Sequence, residues 1–419
     1  MRFVVLAVVA TLSCPAIIPV SARAQAARVE EADRQRMEAL GYEAWVKEGE
    51  VPGRTGVTLY DRRRTAPGYV LFPNRGSCNA QLIDNSGKVV HSWQGSLPGF
   101  WSDVELMPDG ALYVVGATDD EFAHQLTARY LRKLSWDGKV LWQSSFPAHH
   151  DVERAPGGRL LTLSSVERET ETFGRGRRLI DDHVVVLDAE GRTLEELSLH
   201  DLFLASPEGV RFGPYHRLEQ RNGNIVLDAF HANSVQWIEP GKLAGKHPVY
   251  REGNFLVCIR HQNVVVVIDP RKRKIVWSWG QGTLEGPHSA RMLASGNVLV
   301  FDNGLARRTS RILEVDPRTS RIVWSYEAPN PKEFFTPYGG SCQRLKNGNT
   351  LIAETRRGRL FEVDARGRIV WSFVNPFELP AAAEADGQPK ERHRATIQSA
   401  KRLEPSYVSP ILRRNRSPR

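Results

Sequence analysis

Three histidines and an arginine recur at matching places along this chain, and their types and spacing could do chemistry. Glycine turns stand at Gly110, Gly158, Gly223, Gly253, Gly296 and Gly348, in hairpins such as MLASGNVLVF (292–301) and RLKNGNTLIA (344–353). Eight residues before five of these glycines lie Ser102, His150, Tyr215, His288 and Gly340; the Gly253 unit is irregular. Seven or eight residues after the glycines lie His231, Arg260, Asn303 and Thr355. A strand rises about 3.3 Å per residue, so both sets stand roughly 25 Å from the turns, at one end of their hairpins. A neutral imidazole is a nucleophile near neutral pH. An arginine fork matches planar or tetrahedral oxyanions, and neighbouring imidazoles can hydrogen-bond an anionic group under transfer. No carboxylates occupy matching positions, which speaks against a hard-metal site. Three histidines would suit zinc or copper, a rival reading. Any one of these histidines alone reads equally well as structural; the shared register groups them into a site.

The elements that must position them repeat too. A second half-unit runs Asp or Glu, turn, β-branched residues and usually Trp, as in IDPRKRKIVWSW (268–279), VDPRTSRIVWSY (315–326) and VDARGRIVWSF (363–373). Its aspartates are Asp84, Asp137, Asp188, Asp269, Asp316 and Asp364, and four of the five gaps between them are 47 to 53 residues. Two hairpins per unit give about four strands in about fifty residues, the signature of a propeller blade. The expected fold is all-β: a β-propeller of six four-stranded blades over 69–378, after a lead-in at 25–68 with a short charged helix over 28–40. Inner strands converge on the axis, so His150, His231, Arg260, His288 and Asn303 should gather at one mouth, opposite the turns. The Asp-turn-Trp half-unit itself reads as structural, closing a hairpin and packing Trp between blades.

The chain ends carry their own signals. Arg2, the apolar run FVVLAVVATL (3–12) and Ala22-Arg23-Ala24 read as a cleaved secretion signal over 1–24, which implies a periplasmic protein; Cys14 sits in a poor lipidation context. No other apolar run is long enough for a membrane helix. Cleavage leaves Cys78, Cys258 and Cys342, an odd count consistent with three buried thiols or with one disulfide and a free thiol. The formal charge is +9, but the last thirty residues hold nine Lys/Arg against two Glu, so the mature body is near neutral. The basic extension at 379–419 reads as a solvated terminus, and nucleic acid is not an expected partner. No Walker loop, GxSxG elbow or Rossmann glycine fingerprint is present, so no nucleotide cofactor is implied.

Over roughly residues 55 to 375 the chain resembles the bacterial arylsulfotransferase family, the aryl-sulfate sulfotransferases of the periplasm. The likeness rests on the opening GVTLYDRRRTAPGYVLFPNRGSCNAQLIDNSGKVVHSW, then HHDVE (149–153), FHANSV (230–235), CIRHQNVVVVIDP (258–270), GPHSARMLASGN (286–297) and FDNG (301–304). The resemblance implies a six-bladed propeller that moves a sulfuryl group from an aryl sulfate donor to a phenolic acceptor. It implies no nucleotide sulfate donor, no cofactor, and a sulfated histidine as intermediate. Residue by residue, His288 matches the nucleophile, His231 the histidine of HxNS, and Arg260 the arginine of the following strand. His150 matches the early histidine of HHD, with His149 as the alternative. Many members read QHDAR where this chain has Pro287 and Ser289, and GKLAGKHPVYRE between His231 and Arg260 is a longer insertion. Both departures bear on donor and acceptor preference.

The implied mechanism is ping-pong. His288 attacks sulfur in line, while His150, His231 and Arg260 stabilise charge on the sulfuryl oxygens and one histidine shuttles the phenolic proton. Asn303, Tyr215, Trp101, Phe230 and Tyr338 lie beside the site register as substrate-contact candidates; the aromatic ones read equally as blade packing. A homodimer is compatible with all of this. Two rivals remain: a quinoprotein-like oxidoreductase, which needs calcium and quinone, and a non-catalytic periplasmic propeller acting as a binding or scaffold module.

Overall fold

The computed structural model describes residues 53–95, 99–118, 126–174, 176–213, 217–221, 224–239, 241–379 and 393–415, and these belong to one compact unit. The expected signal and the lead-in helix over 28–40 lie outside the described residues. Six sheets, each with four antiparallel core strands, form a β-propeller. The inner strands of blades 2 to 6 are Phe100–Leu106, Ala148–Arg154, Ala232–Trp237, His288–Met292 and Ser341–Arg344.

Blade 1 takes its inner strand from the other end of the chain: Lys401–Leu403 pairs antiparallel with Tyr69–Asn74. The expectation of a solvated basic terminus is therefore corrected. Lys401 is held by Asp103 and Glu105, Arg402 by Glu362, and Val408 and Ile411 of the helix Pro405–Arg414 are buried against blades 1 and 2. At the opposite terminus, Gly56–Tyr60 adds a fifth, outer strand to blade 6. Two strands from outside 69–378 thus join the ring.

A second correction concerns the Gly223 hairpin. Arg217–Arg221 and Asn224–Asp228 are not an inner blade hairpin; they form an accessory pair whose second strand runs parallel to Arg177–Leu187 of blade 3. The other five glycine hairpins are the inner turns of blades 2 to 6. The GKLAGKHPVYRE insertion forms the inner turn of blade 4, where the Tyr250 hydroxyl donates to Gly296 O at the turn of blade 5. It lies at the end of the molecule away from the histidines.

The Asp-turn-Trp units pack blade to blade. Asp84 caps its own turn, its Oδ1 accepting from the N–H groups of Ser86 and Lys88, and Asp188, Asp269, Asp316 and Asp364 do the same in their blades. In blade 2 the capping place falls to Ser135, whose Oγ accepts from Lys139 N, and Asp137 sits two residues further on within the turn. The outer-strand Trp then reaches the turn of the next blade. Trp371 Nε1 donates to Asn85 O and Trp324 Nε1 to Ala365 O, while Trp142 covers Gly191, where no Cβ would fit.

Side chains near the axis bind the blades into a circle. Asp103 accepts from Val152 N, Asp151 from Val235 N, Ser234 from Ala290 N, Ser289 from Cys342 N and Ser341 from Ala400 N. The Ser399 hydroxyl closes it by donating to Asp103 Oδ1. All six blade interfaces are thereby crossed by one equivalent position. Cys78, Cys258 and Cys342 are free and buried.

Candidate active site

The residue preceding each of those ring positions lines the mouth of the central cavity: Ser102, His150, Asn233, His288, Gly340 and Gln398, around a space of about 740 Å³. Two residues after the ring positions, Glu105, Glu153, Gln236, Arg291, Gln343 and Lys401 line the same cavity one layer deeper. The two sets stand three residues apart, an odd offset that alternation alone would put on opposite faces, and in blades 2 to 5 a register shift between them brings both to the cavity. In that lower layer Arg291 Nη2 lies 2.9 Å from Asp151, and Lys401 Nζ lies 2.9 Å from Glu105 and 3.1 Å from Asp103.

Each inner strand of blades 3 to 5 enters through a bulge. Register breaks at Thr162/Leu163, Ala232/Ser234 and His288/Arg291, and the backbone is left-handed at His150 (φ 62), His231 (φ 51) and Ser289 (φ 52). Non-glycine residues adopt this conformation only where neighbours hold them. Here Asn233 Nδ2 donates to Pro287 O, 2.8 Å away, and Ser234 Oγ accepts from Ala290 N. The two polar residues of HANS thus fix the strand that carries His288.

His288 is buried, and its Nδ1 lies 2.7 Å from Asn303 Oδ1 and 3.1 Å from Gly286 O. Asn303 spends its amide group on Thr336 O (2.8 Å) and Gly339 O (2.9 Å), so its oxygen must face the imidazole. Both neighbours of Nδ1 are then acceptors, Nδ1 carries the proton, and Nε2 keeps its lone pair. Burial, reinforced by the charge of Arg260, lowers His288 to about 3. The imidazole is neutral at any ordinary pH.

His231 donates through Nδ1 to Asp228 Oδ2 at 2.7 Å, and its ring centroid lies 4.9 Å from that of His150 and 4.6 Å from that of His261. His261 in turn donates from Nδ1 to Asp228 O (2.7 Å), and its Nε2 accepts from Arg260 Nη1 (3.1 Å). Burial would raise Asp228, but His261 and His231 hold its carboxyl well below the usual range. Burial keeps His231 and His150 well below the ordinary histidine value, and in His231 the Asp228 carboxylate opposes that shift. His150 Nδ1 pairs with His149 Nδ1 at 2.7 Å, and His149 Nε2 stands 3.4 Å from Asp182. Asp228, His231 and His261 place ligand atoms within 4.8 Å of one another, but hydrogen bonds among them engage those atoms. The group as a whole offers a neutral nucleophile facing imidazoles and a guanidinium, a set suited to an anionic electrophile.

A profile of the arylsulfotransferase (ASST) family matches residues 79–376, most of the chain. The protein belongs to the arylsulfotransferase family. Membership implies aryl sulfotransferase activity on a propeller fold, with donor and acceptor substrates. No curated protein matches the chain. Among solved structures it is similar to a Bacteroides caccae protein of unknown function (16% identity, 74% of this chain and 94% of that one, TM-score 0.43). It is also similar to a streptogramin B lyase (12% identity, 86% and 97% coverage, TM-score 0.44). No helix among the described residues is long and apolar enough to cross a membrane.

In this member of the family His231 and Arg260 stand beside His150 and His288, with Asn303 behind His288, and several expected roles change. Asn303 is fully buried with both amide ends engaged, so it orients His288 and is not a substrate contact. His150 lines the cavity; His149 stands behind it. Phe230 is not a substrate contact either: its ring packs on Phe203 and Phe212 in the core of blades 3 and 4. Trp101 is likewise core, buried beside Cys78 and Tyr130. Its neighbour Ser102 takes the place at the mouth because the strand bulges there. Tyr338 is buried in the segment whose carbonyls hold Asn303 and whose Pro337 O approaches Arg260 Nη2. Tyr215 lies outside the described residues. Sequence reasoning missed Asp228 and His261, although both flank motif residues, at three before His231 and one after Arg260.

Proposed function

We propose that this protein moves a sulfuryl group from an aryl sulfate to a phenol by a ping-pong route through N-sulfated His288. The observation that carries the reading is the fixed tautomer of His288: Nδ1 is committed to Asn303 and Gly286, and Nε2 makes no hydrogen bond to any described residue. A neutral, buried imidazole with a bare Nε2 needs no base to become a nucleophile. Nε2 attacks sulfur, the S–O bond to the phenol breaks, and the phenolate leaves. Arg260, His150 and His231 stand where charge develops on the sulfuryl oxygens, stabilisation that costs no reorganisation during the step. In the second half-reaction an acceptor phenol takes the group from Nε2. The leader read at residues 1–24 is the ground for placing this reaction in the periplasm.

The test is intact mass after mixing protein with an aryl sulfate and no acceptor. The expected result is a gain of one sulfuryl group, absent in His288→Ala and discharged by added phenol. Phenol release without an adduct would leave a sulfotransferase that does not use a covalent histidine. Neither adduct nor release across several aryl sulfates would sink the reading.

A further inference from the structure

The three imidazoles at the mouth differ in what stands behind Nδ1. His288 has the neutral amide of Asn303, and His150 has the ring of His149. His231 has a carboxylate, Asp228, at 2.7 Å. An anion on Nδ1 favours the imidazolium form and fixes the proton that remains. The same carboxyl residue reaches a second functional group. His261 donates to Asp228 O, lies 3.5 Å from Asp228 Oδ1, and accepts from Arg260 Nη1 on its far side. Backbone bonds tie the two stretches together: His261 N donates to Phe230 O and Arg260 N to His231 O. Asp228 is 4% exposed and its two carboxyl oxygens lie at His231 and His261, so it acts through them.

We propose that Asp228 is a positioning residue that makes His231 the proton carrier of the transfer and, through His261, fixes the fork of Arg260. The inference rests on the sulfuryl-transfer reading above. Burial, reinforced by the charge of Arg260 and opposed by Asp228, keeps His231 neutral in the free protein. The anionic ester brings negative charge against Arg260 and allows His231 to take up a proton from solvent at Nε2. As the Nε2–S bond of His288 forms and the S–O bond breaks, the departing phenolate oxygen takes that proton, and neutral phenol leaves. Neutral His231 then accepts the proton of the acceptor phenol as its oxygen attacks sulfur and the N–S bond breaks. His288 recovers its lone pair and keeps its Nδ1 proton throughout.

A poor leaving group needs this proton and a good one does not. The experiment compares single-turnover phenol release from 4-nitrophenyl sulfate and from unsubstituted phenyl sulfate, in wild type and Asp228→Asn. Expected is a loss of about 100-fold on phenyl sulfate, within the usual range for acid catalysis, and much less on the nitrophenyl ester. His261→Gln should slow both esters alike, because it loosens Arg260 only. Equal losses on the two esters in Asp228→Asn would overturn the proposal. If that variant does not fold, His231→Gln decides in its place: it must show the same leaving-group discrimination, and a uniform loss refutes the idea. An inert wild type fails the transfer reading itself; an active wild type with uniform losses fails this inference alone.

Discussion

Neutrality at His288 has a thermodynamic consequence as well as a chemical one. Its folded value is about 3, against about 6.5 for a free histidine. Between those two values the unfolded chain binds a proton that the folded chain refuses, so stability rises with pH across this window. The contribution is complete above about pH 6.5 and is lost as pH falls toward 3; His150 and His231 are shifted in the same direction. Urea unfolding should therefore show a lower free energy near pH 5 than near pH 7.5, and His288→Gln should flatten that dependence. An unchanged slope in the variant would mean that His288 is not buried neutral. The residues that carry charge and the lone pair were legible in the sequence because they recur in register. Asp228 and His261 were not, because they touch motif residues from outside the repeating register. Phe230 and Trp101 misled for a related reason. Adjacency in sequence places a side chain on the opposite face of a strand, here the core.

At the scale of elements, one inner-strand pattern does two jobs. HSARMLASG (288–296), GSCQRLKNG (340–348) and QSAKRLEPS (398–406) share it, and in each a serine binds the blade beside it. The third copy was present in the sequence, but it ends in Pro405-Ser406 where the others have a glycine turn and lies among basic residues, so it read as a tail. Local pattern carries no information about a partner strand more than three hundred residues away. Its lysine is the strongest mark of the pairing: Lys401 Nζ also donates to Val104 O and Val152 O, joining blades 1, 2 and 3. Lys401→Ala leaves Asp103 buried without a cation and Glu105 with Arg154 alone, a loss worth about 3–5 kcal/mol. Denaturant unfolding should show this as a fall in midpoint, partly restored by adding Asp103→Asn and Glu105→Gln. A midpoint unmoved by Lys401→Ala would place that ammonium in solvent.

The whole molecule is a ring, and a ring works only when closed. His150, Asn233 and His288 occupy one half of the mouth, on blades 3 to 5, while Gln398 of the closing segment stands with Ser102 and Gly340 on the other half. Beneath them the ion-paired Arg291 and Lys401 line the same channel on its way to the turns. Opening blade 1 would remove Lys401 from that layer, leave Asp103 without its cation, and admit water below the nucleophile. A chain ending at residue 392 should therefore lose adduct formation at His288, although no residue of the reacting half is deleted. Strand addition is driven by main-chain pairing and by pockets for alternate side chains, so a peptide of residues 393–415 supplied separately can refill the gap. Peptide should restore the adduct in a saturable way, and peptide carrying Lys401→Ala should do so only weakly. A truncated chain that is sulfated at the wild-type rate without peptide would show that the reacting half is held by blades 3 to 5 alone. In that case the circle of blade-to-blade bonds contributes stability and not the geometry of the site.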